Sequence, residues 1–148
     1  MPLRLRSVVF MLMAMAGTTS SKDTITVGLC RVVEAPDKYA NAEISVRATL
    51  KTSMHGTYLG QSGCDGVLFI ALPSEIPNGT TEDQRVEKDA NFKAFERARA
   101  DIRSDARNFI ATFSGRLEYA KHGKGFGYYG KNKARLVLFK VAEIEQQQ

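Results

Sequence analysis

The sequence predicts a mainly β domain with one helix, in which five strands close into a small Greek-key barrel and the helix lies between the third and fourth strands. Three observations carry that expectation. Ile44, Val46, Ala48 and Leu50 alternate with Ser45, Arg47, Thr49 and Lys51, the period of two that a strand with one buried face requires. Phe92, Phe95, Ala98, Ile102 and Ala106 recur at spacings of three and four, which makes one apolar stripe on a helix over residues 90–105. Directly afterwards Phe109, Ala111, Phe113, Gly115, Leu117 and Tyr119 restore the period of two.

At 148 residues, 43% hydrophobic and 25% charged, the chain has the size and composition of one soluble globular domain. Residues 1–16 read as a secretory signal. Arg4 and Arg6 precede an apolar run over 8–16, and Ala14-Met15-Ala16 supplies a cleavage site, with cut expected after Ala16. The run falls short of the roughly 20 residues of a bilayer span. No later stretch is long and apolar enough, so the mature chain is expected to carry no membrane span and to reside in the periplasm or outside the cell. Losing Arg4 and Arg6 takes the formal charge from +5 to +3, a mild excess that decides nothing about partners by itself.

Residues 17–24 are small and polar, a flexible mature N-terminus ahead of a domain over 25–145. Over 25–34 two periods compete, an early alternation and then a helical face of Leu29, Val32 and Val33. A short helix capped by Thr26 and ended before Pro36 is the expectation. The strands are expected over 42–54, 58–62, 67–72, 108–119 and 135–145, short and antiparallel, with a His55-Gly56 turn between the first two. Residues 73–89, with Pro73, Pro77 and an Asn78-Gly79-Thr80 sequon, read as an irregular loop. The expected core is Ile44, Val46, Ala48, Leu50, Leu68, Ile70, Phe92, Phe95, Ile102, Phe109, Phe113, Leu136 and Leu138.

Two cysteines in an exported chain read as a disulfide. Cys30 and Cys64 lie 34 residues apart, and closing that loop is worth roughly 3–4 kcal/mol. The rival is a zinc site of Cys30, Cys64, His55 and His122. It lacks the closely spaced ligand pairs that structural zinc sites show, so no metal or cofactor is expected.

The strand order with one inserted helix fits a five-stranded OB barrel. The residues then resemble a family of small exported bacterial OB-fold proteins of unknown function, similar to the tRNA-anticodon-binding-like group. The similar features are a cysteine helix followed by Pro36 and Tyr39, the run Ile44-Ser45-Val46-Arg47-Ala48, and His55-Gly56 before a cysteine-terminated strand. A Gly/aromatic loop leading into Ala134-Arg135-Leu136-Val137 completes the likeness. It covers most of residues 27–144. The chain departs from the pattern in having Ala40-Asn41-Ala42 where a glycine turn is usual, and in its long 73–108 segment. The resemblance implies the barrel fold and carries no catalytic motif, and the group's name refers to a fold relative and does not establish tRNA binding.

No nucleophile elbow, Walker loop or HExxH is present, and neither His55 nor His122 has an identifiable nucleophile partner. An enzyme is therefore not expected. The candidate ligand-binding residues are Lys121, His122, Lys124, Phe126, Tyr128, Tyr129, Lys131, Lys133 and Arg135, cations interleaved with rings on a glycine-rich segment over 119–135. That mixture suits phosphate contact with base or sugar stacking, and equally a solvated hairpin whose rings close one end of the barrel. The resemblance weighs toward the hairpin. The expected function is a non-enzymatic binding module for a protein or an anionic polymer, with single-stranded nucleic acid or oligosaccharide the alternative.

Overall fold

A computed structural model describes residues 23–77, 79–101 and 109–146. The expected signal segment, the Asn78 sequon, and Ile102 and Ala106 of the apolar stripe lie outside them. The described chain is mainly β, with six strands in one sheet and few helices. The strands are β1 (Ile25–Thr26), β2 (Glu43–Ser53), β3 (Gly56–Gly60), β4 (Leu68–Ala71), β5 (Phe109–Tyr119) and β6 (Ala134–Gln146). The α-helices are α1 (Leu29–Glu34) and α2 (Ala90–Ala100).

Five strands form a closed ring in the order β2-β3-β4-β6-β5, with β5 pairing back onto β2 from Glu43↔Arg116 to Leu50↔Phe109. Closure turns the inward-facing alternation of all five strands toward a single core. Ile44, Val46, Leu59, Phe113, Leu117, Leu136 and Leu138 have no exposed surface there. Both helices feed the same core: α1 contributes Leu29 and Val32, and α2 contributes Phe92 and Phe95. The Phe95 ring meets Phe113 edge-on at 6.1 Å, a geometry that aromatic quadrupoles favour. Every expected core residue that is described is buried.

Several expectations need correction. Thr26 is not a helix cap: it lies in β1, paired in parallel with Ser45, and α1 starts after Gly28 with no side-chain cap. The early alternation at Ile25 and Val27 was the strand signal; sheet pairing overrode the helical reading there. The partner strand is Gly56–Gly60 rather than 58–62, because the turn is tight enough for Ser53 to pair with Gly56. The strands are neither uniformly short nor all antiparallel, since β6 runs 13 residues and pairs in parallel with β4. Helix α2 ends at Ala100, with Asp101 at φ −90° and ψ 79°, and residues 102–105 of the expected helix lie outside the described residues. At its start Asp89 accepts a hydrogen bond from the Phe92 amide at 2.9 Å, a cap the sequence reading passed over.

The last strand breaks its own period. Leu136 and Leu138 face inward, yet the next inward residue is Val141, because the pairing slips from Gly115↔Leu138 to Ser114↔Lys140 and leaves Phe139 as an extra residue. Gly115 makes this crossing possible, for a Cβ there would stand 2.0 Å from the Val137 carbonyl oxygen. Phe139, turned outward, is buried beneath the Arg85 guanidinium, 4.1 Å from the ring centroid.

Residues 73–89 are irregular, as expected, but anchored. Three short 3-10 turns at Pro73–Glu75, Gly79–Thr81 and Asp83–Arg85 satisfy local backbone groups. Charged pairs then tie the segment to the sheet and to α2: Glu82 to Arg116, Arg85 to Glu43, Glu87 to Lys140, and Glu75 to Arg99. Asn41, in the turn before β2, takes φ 61°, a left-handed conformation asparagine adopts more readily than most residues.

Cys30 and Cys64 are joined in a disulfide with Cα atoms 5.2 Å apart, tying α1 to the β3–β4 connection. Both thiols are thereby consumed, so the zinc set is not assembled. The bond fits an oxidising compartment. Among the described residues no helix is long and apolar enough to cross a membrane.

Candidate ligand-binding face

The face is built on a row that runs across the outside of the ring. The register places Lys51 beside Tyr58, Tyr58 beside Phe69, Phe69 beside Arg135 and Arg135 beside Glu118. Neighbouring strands lie roughly 4.8 Å apart, so these five side chains form one continuous band. Tyr58 and Phe69 pack with ring centroids 5.5 Å apart, and the Tyr58 hydroxyl donates to the His55 carbonyl at 3.0 Å.

The β5–β6 connection folds against one end of this row. Its two limbs pair at Phe126 and Asn132, with the Phe126 amide donating to the Asn132 carbonyl at 2.6 Å. The Gly130 amide donates to the Gly127 carbonyl at 3.0 Å, closing a tight turn around Tyr128 and Tyr129. Gly127, at φ 74°, brings its backbone against Phe69: a Cβ there would stand 3.6 Å from the ring. Tyr129 has φ 56°, a left-handed conformation that costs a bulky residue about 1–3 kcal/mol and that tends to occur where a site is being shaped.

This turn presents a stack. The His55 imidazole, from the β2–β3 turn, lies 4.0 Å from the Tyr128 ring at an interplanar angle of 28°. The Tyr129 ring lies 4.1 Å from Tyr128 but is tilted by 57° and is not part of the stack. Tyr128 is 45% exposed and Tyr129 75% exposed, so both offer ring surface to solvent. Interaction with the neighbouring Tyr129 side chain, helped by desolvation, pushes the Tyr128 phenol above its usual value of 10.0.

The cations divide into two kinds. Lys121, Lys124, Lys131 and Lys133 are exposed on the loop, and among the described residues none of them has a carboxylate partner. Lys133 reaches only the Gly123 carbonyl, at 3.4 Å. Arg135 is engaged instead. Its Nε donates to Glu118 at 2.5 Å and its guanidinium lies 4.4 Å from the Phe126 centroid. Glu118 also accepts from Arg116 at 3.0 Å, and Arg116 donates twice to Glu82, at 3.2 and 2.6 Å. The Glu82 hydrogen bonds are the chief reason the Arg116 pKa is raised; burial works against them and Glu118 adds to them. Beside this network Ile76, Pro77, Gly79, Thr81, Glu82, Arg116 and Glu118 line a cleft of about 310 Å³.

Of the nine candidate residues, the structure thus gathers Phe126, Tyr128, Tyr129 and Arg135 through ring and guanidinium contacts. Among the described residues it leaves the four lysines without a carboxylate partner, and exposes His122 at 122–123 without a ring partner. Sequence reasoning missed His55, Tyr58 and Phe69. Their only signal was strand order: the β2–β3 turn and the β5–β6 loop meet when the ring closes. No known protein family, curated protein or solved structure matches the chain.

Proposed function

We propose that the closed ring is an OB-like Greek-key barrel, as the resemblance to small exported OB-fold proteins implied, and that the protein is a non-enzymatic binding module acting in the periplasm or outside the cell. The strand order, the parallel β4–β6 pair and the helix between β4 and β5 support the fold reading. The disulfide supports the compartment.

The ligand that best suits the face is a single-stranded nucleic acid. One observation carries this reading: the exposed His55 and Tyr128 rings are stacked, with the exposed Tyr129 ring tilted beside them, next to four loop lysines that have no carboxylate partner among the described residues. Rings take the π-faces of bases in a sequence-tolerant way, and lysines neutralise phosphates. Fluorescence titration of labelled oligothymidylate at low and moderate salt tests it. The expected outcome is binding that weakens steeply with salt, is lost in a Lys124→Glu, Lys131→Glu double variant, and falls by about 1–3 kcal/mol in Tyr128→Ala. No binding at low salt, or unchanged affinity in the double variant, refutes it.

A protein partner is the second reading. Met54, 81% exposed next to His55, adds an apolar knob at the same end of the ring. Binding to a partner through that surface would be nearly insensitive to salt.

A further inference from the structure

We propose that Glu118 is a specificity-determining residue of this face: by holding Arg135 it keeps ligand anions off the sheet, so that the sheet takes uncharged rings while the anions go to the loop lysines. The inference rests on the single-stranded nucleic-acid reading and adds to it which residue sorts the ligand's charges.

The geometry is specific. Glu118 uses both carboxylate oxygens, Oε1 on Arg116 and Oε2 on Arg135. Arg116 spends its remaining donors on Glu82. All four side chains are between 17% and 27% exposed, and their charges cancel two against two. The guanidinium nearest the rings is thus spoken for electrostatically, and its flat face is spent on Phe126. The Glu118 carboxylate, 2.5 Å from Arg135 Nε in a partly desolvated setting where such a pair is screened less than at the surface, cancels the Arg135 charge, so a phosphate approaching the Nη donors gains little Coulomb attraction from it. The lysines meet no such competition. Charge on the face is therefore partitioned: a stretch along Tyr58, Phe69 and the Glu118-compensated Arg135 with no net charge, between Lys51 at the far edge of the row and the positive loop. A single strand of nucleic acid matches that partition, since its bases are uncharged and its phosphates lie apart from them.

The experiment is the salt dependence of oligothymidylate binding. Each phosphate neutralised on a single strand contributes about 0.7 to the slope of log K against log salt. Glu118→Gln leaves the Arg135 charge uncompensated, so the slope should steepen by about 0.7, equivalent to a roughly fivefold larger loss of affinity over a tenfold rise in salt. Arg135→Gln alone should leave the wild-type slope unchanged, and the Glu118→Gln, Arg135→Gln double variant should lose the added slope. Glu96→Gln on exposed α2 makes the same change in net charge away from the face and should do nothing. An oligomer with an uncharged methylphosphonate backbone should bind wild type and Glu118→Gln alike. Far-UV circular dichroism confirms that each variant is folded. A slope already reduced by Arg135→Gln in the wild-type background, or one unmoved by Glu118→Gln, overturns the role of Glu118 and leaves the binding reading standing. Wild type that fails to bind oligothymidylate at low salt overturns both.

Discussion

Replacing Gly115 with alanine tests the account of how the ring closes. The residue sits on β5 where β6 crosses with its extra residue, and the added Cβ would lie 2.0 Å from the Val137 carbonyl oxygen and 2.8 Å from its carbon. Both are backbone atoms, so no side-chain rotation relieves the contact; the strands must part by roughly an ångström. Overpacking of this kind costs about 1–3 kcal/mol. Parting the strands also breaks or stretches a ladder hydrogen bond, which adds about 1 kcal/mol. The expected loss is roughly 2–4 kcal/mol, which for a domain of this size lowers Tm by about 8–16 °C. Urea unfolding followed by circular dichroism should show a lower midpoint with an unchanged slope. Gly66→Ala is the control. Its Cβ would meet Val33 at 3.5 Å, an ordinary contact, so it should stay within about 1 kcal/mol of wild type. A Gly115→Ala protein as stable as wild type would refute the close crossing and with it the bulge at Phe139.

Other outcomes follow from single contacts. Denatured, unreduced protein should show no free thiol, and Cys64→Ala should cost roughly 2–5 kcal/mol; two reactive thiols would remove the bond. Phe113→Ala, which empties the centre of the Phe95–Phe109 cluster, should cost about 3–5 kcal/mol in denaturant unfolding, and a loss under 1 kcal/mol would mean the core lies elsewhere. Asp89→Ala removes the α2 cap and should cost about 1 kcal/mol by the same measurement. In a spectrophotometric titration Tyr128 should ionise above pH 10.0, the phenol staying protonated longer than a free one. Tyr129→Phe should bring it down, and no movement would refute the influence of Tyr129 on that phenol.

The sequence by itself determined what depends on neighbours along the chain. The period of two in β2 and β5 and, among the described residues, Phe92 and Phe95 of the α2 stripe named inward residues correctly, because a side chain's face follows from backbone geometry within a few residues. The even cysteine count and the apolar leader pointed to the disulfide. The basic, ring-bearing segment was legible as a candidate site because its composition is local. Tertiary structure decided what depends on pairing between distant segments. Ile25 and Thr26 are a strand only because β2 offers an edge beside Ile44 and Ser45. The inward period of β6 shifts by one residue only because it must cross Gly115. Arg135 looked in the sequence like one more cation beside Lys131 and Lys133. Strand register set it against Glu118, 17 residues away in the chain, and so separated it from the loop lysines. His55, Tyr58 and Phe69 joined the face for the same reason: closure of the ring brings side chains together that no local period relates.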